Sequence, residues 1–95
     1  MLTYSSLSTH KKVTVTDVST EILPANARRV YSMIRNTAGA SMWIGKGETA
    51  VVGEGQLVRP GEWCEINVNT NPFIGSIHGI LESGSSDIPV EEAQI

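Results

Sequence analysis

The residues of this 95-residue chain best suited to chemistry are one cysteine, Cys64, two histidines, His10 and His78, and the neighbouring acids Glu62 and Glu65. A nucleophile needs a base within reach. Cys64 stands in EWCEINV, where alternation turns it to the inward side of a strand, so its thiol reads as a small buried hydrophobe. The two histidines are far apart and form neither HxH nor HExxH, so a metal site would have to recruit carboxylates from distant strands. Glu62 and Glu65, three apart on an extended segment, point to opposite faces, unlike the paired acids of a glycosidase. The glycines of GKGETAVVGEG do not make GxxxxGK[ST], and no helical pattern follows to hold a phosphate. A non-enzymatic protein without cofactor or metal is expected. Binding is a separate matter: Trp43 and Trp63 would make a platform for a sugar or a base if both were exposed, and otherwise cover the ends of the core.

The elements that would position these residues are short and extended. Around ILPANARRVYSMIRN, Pro24 and Asn26 reverse the chain, and a strand follows from Arg29 to Asn36. Tyr31, Met33 and Arg35 lie on one of its faces, with Val30, Ser32, Ile34 and Asn36 on the other. His10 to Val18 alternates, with Val13 and Val15 on one side. Ile22 and Leu23 form a short extended piece. Ser41 to Gly45 sets Met42 and Ile44 against Trp43, and Leu57 and Val58 lead to Pro60 and Gly61 at the centre of a type II turn. Trp63 to Val68 alternates most clearly: Cys64, Ile66 and Val68 inward, Trp63, Glu65 and Asn67 outward. In Ser76 to Glu82, Gly79 suggests a bulge or a close approach, and Pro89 places the last strand at a sheet edge. Seven or eight short strands and no helical period predict an all-β protein, a small antiparallel β-sandwich of jelly-roll or Ig-like type.

A chain of this length makes one domain, predicted over residues 10–95, with residues 1–9 as a flexible arm. Leu2 and Tyr4 of that arm either insert under a neighbour or stay loose. The net charge of −3 and pI near 5.2 give no general attraction to nucleic acid or to an anionic membrane. A single cysteine excludes an internal disulfide, and neither a signal peptide nor a long apolar run is evident, so a soluble, unsecreted product is expected. Residues 1–47 hold six basic residues against two acidic, and residues 48–95 one basic against eight acidic, giving +4 and −7. Either interleaved strands mix these charges, or copies meet head to tail, basic side to acidic side. At least one of Arg28 and Arg29 is expected beside a carboxylate of the C-terminal half.

In order along the chain, TEILPANARRVYSMIRN, WIGKG, LVRPGEWCEI, GSIHGILE and DIPVEE resemble a family of small β-sandwich virion structural proteins of tailed bacteriophages. The resemblance spans about Val13 to Glu92 and carries no catalytic signature. It implies a virion structural protein, foremost a capsid decoration or cement protein bound to the assembled shell. The alternative is a carbohydrate- or receptor-binding module of the tail, neck or fibre, using Trp63, Trp43, Asn67, Asn69 and Asn71. It further implies the virion as location after synthesis in the host cytoplasm. The major capsid protein or other virion proteins are the implied partners, with homo-oligomers expected and no nucleic acid or membrane. Arg28, Arg29, Trp63, Lys11 and Lys12 are the candidate interface residues.

Overall fold

The computed structural model of the chain describes residues 7–95. Alternation and turns resolve into eight strands: β1 (Leu7–Thr16), β2 (Thr20–Leu23), β3 (Arg29–Arg35), β4 (Met42–Lys46), β5 (Gln56–Val58), β6 (Trp63–Asn67), β7 (Ile77–Leu81) and β8 (Ser85–Gln94). They form two four-stranded sheets, ordered β1-β8-β3-β6 and β2-β7-β4-β5, with every pairing antiparallel. The chain changes sheet at each connection except β4 to β5, which is the jelly-roll arrangement and not the Ig-like one. Both sheets alternate strands from the two halves of the sequence. The basic and acidic halves are therefore mixed by the topology, which removes the basis for a basic side meeting an acidic side.

The core is the double row of inward residues that alternation demands. Val15, Ile34, Cys64, Ile66, Ile88 and Val90 of one sheet meet Ile22, Leu23, Met42, Ile44, Val58, Ile77 and Leu81 of the other, all buried. Gly79 has no side chain because Ile22 fills the space: a Cβ there would stand 2.5 Å from Ile22 Cδ1. The bulge is in the partner strand, between Glu21 and Leu23. The Pro60–Gly61 turn is as expected, with Gly61 at φ +86° and Glu62 N–H donating to the Arg59 carbonyl at 2.9 Å.

Asn36 ties the β3–β4 and β5–β6 connections together. Fully buried, it donates from Nδ2 to the carbonyls of Ala40 (2.9 Å) and Val58 (2.8 Å), and its Oδ1 accepts from Ala38 N–H (2.9 Å). Such complete pairing is what a buried amide needs.

Four sequence expectations are corrected. β8 lies inside its sheet, between β1 and β3, and not at an edge; the β3 ladder ends at Ile34 and Val90, so Pro89 stands just beyond it, where a missing N–H is tolerated. Val68 is not core: β6 stops at Asn67, whose carbonyl accepts from Thr70 (3.1 Å) and Asn71 (2.7 Å), so Val68 rides on a turn, 37% exposed. β1 ends at Thr16, leaving Val18 exposed. At its other end β1 begins at Leu7, paired with Gln94, so residues 7–9 of the predicted arm belong to the sheet. Leu2 and Tyr4 lie outside the described residues.

Candidate functional site: the outer face of the β1-β8-β3-β6 sheet

Register builds this face row by row. Strand pairing sets Lys12 opposite Pro89, and Arg35 opposite Trp63, so these four residues form one row across the sheet. The next row is His10, Glu91, Met33 and Glu65, and the one after it Ser8, Ala93, Tyr31 and Asn67. Trp63 is 52% exposed, and the Arg35 guanidinium lies over its ring at 5.0 Å from the centroid. Such a stack is worth about 0.5–1 kcal/mol at an exposed site and holds both side chains in place.

Beside this stack runs a groove of about 310 Å³, lined by His10 and Lys11 of β1, Pro89 and Glu91 of β8, and Met33 and Arg35 of β3. It exists because the compact Pro89 lies between longer side chains on both flanking strands. Glu91 is held toward β1, accepting from Ser8 Oγ at 3.4 Å with His10 Nδ1 at 3.8 Å. Tyr31 is half-buried, and burial first, then the charges of Glu65 and Glu91 and a hydrogen bond to Glu65, raise its phenol above the usual range. It therefore stays neutral and serves the face as a donor.

The predicted interface residues divide. Lys12, on edge strand β1, and Trp63 belong to this face, whereas Lys11, opposite Val90, has the inward parity of Val13 and Val15 and borders the groove from the edge of the sheet. Arg28 is exposed at the other end of the sheet, where its Nε donates to the Ile95 carbonyl and its N–H to Asn26 Oδ1 at 3.0 Å. Arg29 is a correction, since its side chain is entirely buried and cannot meet a partner protein. Its Nε donates to Glu92 Oε2 at 2.7 Å, Nη1 to the carbonyls of Phe73 (3.1 Å) and Gly75 (2.9 Å), and Nη2 to the Pro24 carbonyl (2.8 Å). The expected carboxylate partner from the C-terminal half is thus Glu92.

The two tryptophans share no platform. Trp43 is on the outer face of the other sheet, half-buried in a row with Ile80 and Leu57, and its Nε1 donates to Glu82 Oε2 at 2.8 Å. Asn67 and Asn71 hold their own turn, where Asn67 Oδ1 accepts from Asn69 N–H at 2.9 Å and Asn71 Nδ2 donates to the Glu65 carbonyl at 3.1 Å, and Asn69 is exposed on it.

Among the described residues, the hydrogen-bond partner of the thiol is an amide and not a base. Cys64 is buried, its sulfur hydrogen-bonded to Gln56 Oε1 at 3.4 Å, and burial pushes its pKa up despite the opposing charge of Lys46. His10 is on the outer face, beside Glu91, and His78 is in the other sheet with Ser76 Oγ at 3.2 Å. Sequence reasoning had placed Met33 and Arg35 on the correct face of β3. It did not single them out, nor His10, Pro89 and Glu91 as groove residues, because only the non-local pairing of β1, β8 and β3 brings them together.

No protein-family model and no curated protein sequence matches the chain. Among solved structures, the chain is similar to the crystal structure of the stem and receptor binding domain of the spike protein P1 from bacteriophage PM2, with a TM-score of 0.64 and 20% sequence identity. The likeness covers 88% of this chain, which spans 32% of that one. At that identity the two chains share a fold.

Proposed function

We propose that the chain is a non-enzymatic structural module of a bacteriophage virion, carried on the outside of the particle as part of its attachment apparatus. The observation that supports this most is the likeness of nearly the whole chain to about a third of a phage spike's stem and receptor binding domain. The motif resemblance to small virion proteins points the same way. A fold by itself does not assign function, so the face matters. An exposed indole with a stacked guanidinium, fixed on paired strands, is a recognition surface. Its partners are other virion proteins, in a particle assembled after synthesis in the host cytoplasm.

The second reading is decoration of the capsid shell. It is favoured by the other sheet, whose outer row of Ile80, Trp43 and Leu57 offers an apolar strip for a neighbouring protein. Adsorption separates the two. Host cells incubated with the purified protein should afterwards adsorb fewer particles, in a saturable way. Unchanged adsorption, together with saturable binding to shells that lack the protein, would replace attachment by decoration.

A further inference from the structure

The groove over Pro89 has a charge pattern that the fold does not consume. Among the described residues, Lys11, Lys12 and Arg35 have no carboxylate at ion-pair distance, although the chain carries a net charge of −3. The carboxylate in the groove, Glu91, is drawn to the β1 side by Ser8 and His10. Arg35 donates no side-chain hydrogen bond to any described residue, and Trp63 holds the flat of its guanidinium. Its in-plane N–H groups are therefore free and pre-oriented, the arrangement that favours a two-pronged bond to a carboxylate. Cations line both walls, β1 and β3, and Pro89 with Met33 supplies an apolar surface between them.

We propose that this groove binds a carboxylated pyranose, a hexuronate unit of an acidic polysaccharide. Arg35 takes the carboxylate, Lys12, opposite Pro89 and just outside the lining, adds charge from the β1 side, and the C–H face of the ring rests on Pro89 and Met33. The volume of about 310 Å³ is at the small end of ligand sites and suits a unit of sugar size. An acidic peptide fits less well. A peptide brings its own N–H and C=O groups, which are best met at a sheet edge, whereas the groove lies over β8, an inner strand paired with β1 along its length and with β3 as far as Val90. The inference deepens the attachment reading by naming the class of ligand.

The test is titration calorimetry of the whole protein with trigalacturonate, a neutral galactose trisaccharide and a hexaglutamate peptide, across a salt series. Trigalacturonate should bind saturably, more weakly as salt rises, and at least about tenfold more tightly than the neutral sugar or the peptide. Arg35→Gln should weaken it about tenfold or more, while Arg59→Gln, on the β5–β6 turn and outside the groove lining, should leave it unchanged. Both side chains are exposed, so Arg59→Gln is expected to melt as the parent does and Arg35→Gln to lose no more than the small contribution of its stack on Trp63. Equal binding of the neutral sugar, preference for the peptide, absence of binding, or an Arg59→Gln effect as large as that of Arg35→Gln would each overturn the proposal. Absence of hexuronate binding in a protein that still blocks particle adsorption would remove the ligand class and leave the attachment reading standing. Arg35-dependent hexuronate binding in a protein that does not block adsorption would do the reverse.

Discussion

Replacing Arg29 with methionine tests how the sandwich is closed at the end where β3 begins. The substitution keeps much of the volume and removes every donor. Four acceptors then lose their partner: Glu92 Oε2 and the carbonyls of Pro24, Phe73 and Gly75. The Glu92 side chain is 15% exposed, so most of its charge is left away from water. Breaking a buried pair from one side costs about 3–5 kcal/mol, and each neutral hydrogen bond adds about 0.5–1.5 kcal/mol. The three carbonyls belong to loop residues that retain some exposure and can recover water, so the lower end, about 3 kcal/mol, is the expected total. For a domain of this size that is a fall in Tm of about 12 °C or more. Urea unfolding and thermal melts measure it directly. The double variant Arg29→Met with Glu92→Leu should be more stable than the sum of the two single losses allows, because the stranded charge is gone. A loss below about 1 kcal/mol for Arg29→Met, or additive losses in the double variant, would refute the role given to this side chain.

Two further variants probe the core. Ser32 Oγ is buried without a hydrogen-bond partner, so Ser32→Ala should be neutral or stabilising, by up to about 1 kcal/mol, in urea unfolding; a loss above that would mean that the hydroxyl is paired. The raised pKa of Cys64 makes stability fall with alkali: below the ordinary thiol pKa of about 8.5 both folded and unfolded chains are protonated, and above it only the unfolded chain ionises, until the folded pKa is reached. Cys64→Ala should flatten that decline, and an unchanged slope would exclude the thiol as its source.

How much was legible depended on the range of the interaction. Period-two alternation revealed the faces of β3, β4 and most of β6, because neighbouring residues decide them. It failed at Val68, where a turn around the Asn67 carbonyl ended the strand before the pattern did. It failed again for β8: a proline usually marks an edge, but the β3 ladder stops before Pro89, a fact of pairing and not of composition. The same limit hid the groove. Trp63, Lys11 and Lys12 were noticed singly, while their association with Arg35 and Pro89 comes from strands distant in sequence. Arg29 was matched to the right class of partner and given the wrong setting, since burial of a guanidinium depends on which carbonyls the loops bring to it.

We propose above that this chain is carried on the outside of a phage particle at its attachment structures. Gold-labelled antibody raised against the purified protein, applied to intact phage particles from the source of the chain and viewed by electron microscopy, tests that placement directly. Label is expected only at the attachment structures, in few copies per particle. Purified particles that carry no label, and no peptide of the chain by mass spectrometry, would contradict the proposal, and label spread evenly over the shell would give the role to decoration instead.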